Sequence, residues 1–197
     1  MNKNILWIFG LILAASFSFV ACSESNDDVD PYANWDSRNQ NYIDSIAKVA
    51  RANEGINVGQ WKIIYSYKLP DLGIGQTGGT NDYVYCKIKE SGNGATPIFT
   101  DTVYVNYRGK LINGTVFDQS YRGTYDPATA IPVKFNVGAV ITGWTTALQQ
   151  MKVGDEWEIY IPYNLAYGSS ASNSIPGYST LIFDVALMKV LPLKGKE

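Results

Sequence analysis

From Tyr83 onward, apolar residues recur at every second position in a series of short runs. Tyr83 to Lys89 alternates, and Val103, Val105 and Tyr107 share one face of the run Thr102 to Tyr107. Trp157, Ile159 and Ile161 alternate against Glu156, Glu158 and Tyr160, and Leu181, Phe183, Val185 and Leu187 do the same near the end. A period of two marks a strand. Val133 to Val137 reads as another short strand and Trp61 to Lys68 as an earlier one, while Asn113-Gly114 is a turn pair that closes hairpins. The period changes to three and four in two places. Between Tyr32 and Ala52, the residues Trp35, Tyr42, Ile43, Ile46, Val49 and Ala50 predict an apolar helical stripe. Arg38, Asn39, Asp44 and Lys48 fall largely on the remaining face, and Gly55 and Gly59 follow as terminators. Between Thr142 and Met151, the spacing of Trp144, Ala147, Leu148 and Met151 predicts a second helix, with Thr142 as its cap. One helix lying across a mostly antiparallel sheet is an α+β arrangement, here preceded by a helix and strand extension.

The stripe between Tyr32 and Ala52 needs a partner. Packing within the chain is the preferred expectation, because about twenty residues is short for a coiled coil. A homodimer through this helix is the alternative. The stretch from Pro70 to Asp82 carries glycines at 73, 75, 78 and 79 but is followed by a strand pattern, so it reads as a connection and not as a phosphate cradle.

Composition narrows the chemistry. The chain has 197 residues, a net charge of -2 and no histidine. No basic block suggests nucleic acid binding. Without histidine, Ser-His and Cys-His nucleophilic catalysis and histidine-ligated metals are excluded in their usual forms. Two cysteines cannot build a Cys₄ site. The chemistry must use carboxylates, hydroxyls, backbone groups or an apolar cavity, with neither metal nor cofactor expected.

The N-terminus reads as a targeting segment. Lys3 precedes an apolar run from Ile5 to Val20, which ends at Ala21-Cys22 before the acidic stretch Ser23 to Asp28. Phe19-Val20-Ala21-Cys22 resembles the lipobox of bacterial lipoproteins, in which the cysteine is lipidated and becomes the mature N-terminus. That implies a signal peptide over 1–21, a lipid anchor at Cys22, an acidic tether over 22–31 and a place in the bacterial cell envelope at the outer membrane, on its periplasmic or surface face. An ordinary signal peptide or membrane anchor with an incidental cysteine is the other reading. Cys86, in a strand-like run, is expected as a small buried residue, with an intermolecular disulfide as the alternative.

Seven motifs in order across about Tyr83 to Val190 resemble the FKBP-type peptidyl-prolyl cis-trans isomerases, the macrolide-binding immunophilins. They are Val105 to Leu111, Val116-Phe117-Asp118-Gln119-Ser120, Pro132 to Gly138, Val140-Ile141-Thr142-Gly143-Trp144, Met151 to Asp155, Ile161 to Gly168, and Ile175-Pro176 with Ser179 to Val185. The resemblance implies a twisted, half-open antiparallel sheet wrapped around one short α-helix, with the isomerase domain over 83–197 and the extension over 32–82.

It also implies roles. Trp144 is the floor for a substrate proline ring. Tyr107, Phe117, Phe135 and Phe183 are apolar walls; the resemblance makes Tyr107, Asp118, Trp144, Tyr167 and Phe183 the catalytic set and Phe117, Val133, Phe135, Val140, Ile141 and Ile175 the substrate-binding set. Val140 and Ile141 line the mouth, where the Ile141 N–H meets a substrate carbonyl. Tyr167 offers a hydroxyl to another carbonyl, and Asp118 lies near the hydroxyl of Tyr107. The implied partners are proline-containing polypeptides of exported or envelope proteins, with macrolides as inhibitors. A non-catalytic chaperone or ligand-binding module using the same cavity is the alternative. Four features depart from the family pattern: Val133 where an aromatic is frequent, Ala139 in place of a polar residue, a longer segment from Tyr121 to Ile131, and a serine-rich loop from Ser169 to Ser174. Arg122 in the longer segment is a candidate partner for Asp118.

Overall fold

The computed structural model describes residues 30–193. The signal segment, Cys22 and nearly all of the acidic tether lie outside the described residues. Two helices and seven strands follow in the order α1 (Trp35–Ala52), β1 (Trp61–Tyr65), β2 (Tyr83–Glu90), β3 (Thr102–Lys110), β4 (Val116–Gln119), β5 (Val133–Asn136), α2 (Thr142–Leu148), β6 (Glu156–Ile161) and β7 (Leu181–Leu191).

All strand pairs are antiparallel, in the order β1-β2-β6-β7-β3-β4. β5 shares the free edge of β3, pairing with Thr102 to Val105 while β4 pairs with Arg108 to Lys110. The Asn113-Gly114 pair forms the β3–β4 turn as expected: Gly114 has φ +85, and the Thr115 N–H donates to Asn113 Oδ1 at 3.1 Å.

Because successive strand residues point to opposite faces, the sheet builds two apolar layers. On one face Val84, Cys86 and Ile88, Val103, Val105 and Tyr107, Trp157, Ile159 and Ile161, and Phe183, Val185 and Leu187 bury together with Trp144, Ala147 and Leu148 of α2 and with Met151. The opposite face is covered by α1, whose Ile43, Ala47 and Ala50 pack on Trp61, Tyr85, Tyr160 and Ile182. Helix and strand extension are therefore part of the same sheet and its covering layers. Packing within the chain is what the structure shows for α1. Cys86 is buried, and that burial pushes its thiol far above the ordinary range, as suits an inert core residue.

Two expectations for the helices are corrected. The stripe that α1 buries is Trp35, Asn39, Ile43, Ala47 and Ala50, whereas Val49 is 53% exposed. Steps of four along a helix drift slowly around its axis, and this ridge faces the sheet. Asn39 is tolerated there because both ends of its amide are hydrogen-bonded. In α2, Thr142 is the first helical residue and not the cap. Ile141 occupies that position with no side-chain cap, and Thr142 uses its carbonyl to accept the Thr146 hydroxyl at 2.9 Å. The helix stops at Leu148, beyond which the Gln150 and Met151 N–H groups bond three residues back, to Ala147 and Leu148.

Gly143 sets how closely α2 lies on the sheet. A Cβ at this position would overlap the side chain of Ile161 in β6. Gly143→Ala should therefore push α2 outward, lowering stability by about 1–3 kcal/mol in a chemical denaturation curve. Unchanged stability would mean that α2 has room the geometry does not show.

Candidate active site

α2, the concave face of the sheet and two loops enclose a cavity of about 310 Å³ lined by Tyr107, Phe117, Asp118, Phe135, Ala139, Val140, Ile141, Trp144, Tyr167 and Phe183. The strands supply Tyr107, Phe117, Asp118, Phe135 and Phe183, the segment entering α2 supplies Ala139, Val140 and Ile141, and α2 itself supplies Trp144. Trp144 is the floor, only 4% exposed. Three rings meet it edge-on: Phe183 at 5.2 Å, Tyr107 at 5.4 Å and Phe135 at 5.5 Å between centroids. Such T-shaped contacts set each ring's positive edge against a negative face. Phe117 stands perpendicular to Phe183 at 5.5 Å. Gly109 lies against this pair, and a Cβ there would collide with both rings.

The cavity's polar groups sit at its margin. The Tyr107 hydroxyl donates to Asp118 Oδ2 at 2.7 Å, while Asp118 Oδ1 accepts the Gln119 N–H at 2.9 Å. Burial, with the bond to Asp118 second, pushes the Tyr107 phenol far above its ordinary value. Tyr167 is 46% exposed at the rim, and its phenol is also raised, by burial first and then by the Asp118 charge. At the mouth, the Ile141 carbonyl accepts the Thr145 N–H at 3.1 Å, and its own N–H donates to no group among the described residues. No group of three or more His, Cys, Asp or Glu that could hold a metal occurs among the described residues.

The structure thus gathers Tyr107, Phe117, Asp118, Phe135, Val140, Ile141, Trp144, Tyr167 and Phe183 around one cavity, and leaves two expected residues out. Val133 is 37% exposed on the short edge strand β5, two positions before Phe135 and past the cavity's edge. Ile175 is 6% exposed in the core, because its backbone closes the Ser169–Ser174 loop through reciprocal 2.9 Å bonds with Ser172 and turns its side chain inward. Ala139 lines the cavity although it was noted only for the polar group it lacks. Arg122 forms no ion pair with Asp118 among the described residues. The arginine that fastens the longer segment is Arg108, which lies 4.6 Å over the Tyr121 ring and donates to Gln119 Oε1 at 3.0 Å and to the Gly123 carbonyl at 2.5 Å.

Residues 94–188 match the family described as FKBP-type peptidyl-prolyl cis-trans isomerase. This part of the chain belongs to that family. The chain is 48% identical over 106 residues to the FKBP-type 22 kDa peptidyl-prolyl cis-trans isomerase of Escherichia coli (strain K12), a match covering 53% of this chain and 48% of that protein. It is 45% identical over 105 residues to the outer membrane protein MIP of Legionella longbeachae, covering 53% of this chain and 42% of that protein. Among solved structures, FkpA from Escherichia coli aligns with a TM-score of 0.58 and 31% identity over 81% of this chain and 62% of its own. The chain spans about half the length, or less, of these curated relatives. The FKBP-type match begins within the β2–β3 connection, so α1, β1 and β2 precede it while belonging to the same folded unit.

Proposed function

We propose that the protein is a peptidyl-prolyl cis-trans isomerase acting on proline-containing segments of exported or envelope polypeptides. The observation that carries this reading is the Trp144 floor, walled edge-on by Tyr107, Phe135 and Phe183 within a cavity of about 310 Å³. Isomerisation breaks no covalent bond. It rotates an amide over a barrier of roughly 20 kcal/mol. In the twisted transition state the nitrogen loses conjugation and the amide becomes less polar. An apolar aromatic cavity that excludes water favours that state over the planar ground state. The proline ring rests on the Trp144 indole. The Ile141 N–H and the Tyr167 hydroxyl hold flanking carbonyls, and the Tyr107–Asp118 pair closes the polar edge. Macrolides are the inhibitor class for the same cavity.

In this reading residues 1–21 are a signal peptide, Cys22 carries the lipid, 22–31 are a tether and the body begins near Tyr32. The similarity to a protein named as an outer membrane protein supports an envelope location. Among the described residues no helix is long and apolar enough to cross a membrane. Metabolic labelling with a fatty acid, lost on Cys22→Ala, tests the anchor.

The activity is tested by proline-limited refolding and by isomerisation of a proline peptide, with a macrolide titration of tryptophan fluorescence as an independent probe of the cavity. Wild-type protein showing no catalysis above background would sink the enzyme reading and leave a binding module. The pH profile is a sharper check. Both cavity phenols are pushed above their ordinary values, so they keep their protons as pH rises through the neutral range, and the chain has no histidine. Catalytic efficiency should therefore vary by less than about twofold between roughly pH 6.5 and 9. A bell-shaped profile in that window would point to a titrating acid or base that this mechanism does not contain.

A further inference from the structure

The helix outside the FKBP-type match is wired to the loop that carries the rim of the cavity. The Trp35 indole N–H donates to Ser179 Oγ at 2.8 Å, and Ser179 Oγ in turn donates to the Pro176 carbonyl at 2.6 Å. One turn along α1, Asn39 Oδ1 accepts the Thr180 backbone N–H at 2.7 Å, while Asn39 Nδ2 donates to the Trp35 carbonyl at 2.7 Å. The Thr180 hydroxyl reaches the Asn39 carbonyl at 3.4 Å. All four residues are buried, between 1% and 6% exposed, so these bonds do not compete with bulk water.

What they hold is a short segment with the candidate site on both sides. Upstream, the Tyr178 N–H donates to the Gly168 carbonyl at 3.0 Å, next to Tyr167, and the Tyr178 ring lies 5.1 Å from that of Tyr163. Downstream, Thr180 leads directly into β7, whose third residue is the cavity wall Phe183. Tyr167 is half exposed and sits in a loop, so its place depends on what fixes Gly168 and the segment Pro176 to Thr180.

We propose that Trp35 and Asn39 are positioning residues for the site: α1 clamps the Pro176–Thr180 segment so that the Tyr167 hydroxyl is presented at the rim to a substrate carbonyl. This rests on the isomerase reading. A rim group that contacts substrate alike in ground and transition states governs KM more than kcat.

The experiment uses the full chain and measures kcat, KM and chemical denaturation together. Trp35→Phe keeps an aromatic ring and loses the N–H, and Ser179→Ala removes its acceptor from the other side. Each should raise KM about three- to tenfold with kcat within about twofold, the effect of losing one neutral positioning bond. The double variant should raise KM no further than the larger single change, because the two residues share one bond. Asn39→Leu, near in volume, should raise KM at least as much. Ile43→Val, on the same helix but away from the loop, should lower stability and leave KM alone. Folded Trp35→Phe and Ser179→Ala proteins with wild-type KM would overturn the proposal, as would additive effects in the double variant or an equal KM rise in Ile43→Val. A wild type without isomerase activity would instead overturn the functional reading, and the clamp with it.

Discussion

Replacing Trp144 by leucine should lower kcat/KM for a proline peptide by about thirtyfold or more. In the proposed mechanism the indole face is the surface on which the proline ring rests. Removing about 80 Å² of apolar contact at roughly 25 cal/mol per Å² gives about 2 kcal/mol, or about thirtyfold. Leucine is the informative substitution. Truncation to alanine would also empty the space between Tyr107, Phe135 and Phe183, whose rings all rest on Trp144. A cavity of that kind costs about 3–5 kcal/mol, so Trp144→Ala would confuse a lost floor with a lost fold. Leucine fills part of the volume and keeps the site apolar. The measurement is the peptide assay beside a denaturation curve, with Tyr167→Phe as a rim variant that leaves the core intact. A folded Trp144→Leu protein with wild-type efficiency would remove the indole from the mechanism.

The second large effect is on stability and lies on the other face of the sheet. Ile43→Ala should cost about 2–5 kcal/mol, lowering Tm by about 5–20 °C for a chain of this size. Ile43 is 1% exposed and is the largest buried aliphatic side chain that α1 sets among Trp61, Tyr85, Tyr160 and Ile182. Val49 belongs to the same helical stripe by sequence spacing alone, yet it is 53% exposed. Val49→Ala should therefore change stability by no more than about 0.5 kcal/mol. Equal losses at the two positions would mean that α1 does not lie on this sheet face.

The contrast between Ile43 and Val49 shows what a one-dimensional pattern leaves open. Three- and four-residue spacing fits both, because a helix has a broad apolar face and only the partner surface selects the ridge that is buried. Asn39 was assigned to the polar face for the same reason, and its partner, Thr180, is 141 positions away. Among the site residues, periodicity alone makes the aromatic positions core candidates, and it is the ordered motifs resembling the FKBP-type family that single them out as a site. Val133 and Ile175 fall within the same motifs, and the resemblance places them in the site as well. Their places outside the cavity lining depend on Val133 lying at the start of the edge strand β5 and on how the Ser169–Ser174 loop folds back, neither of which is encoded in spacing. Arg122 is a candidate partner for Asp118 by charge alone, yet among the described residues the arginine that engages the longer segment is Arg108, through the Tyr121 ring and the Gly123 carbonyl.

The amino-acid sequence by itself determined the α+β class, six of the seven strands, both helices and the exclusion of histidine chemistry. These follow from residue type and local periodicity, which act over a few positions. Only the tertiary structure decided which helical ridge is buried, which expected residues reach the cavity, and that Trp35 and Asn39 grip Ser179 and Thr180. Those outcomes depend on contacts between residues far apart in the chain, whose free energies appear only once the sheet has brought them within hydrogen-bonding reach.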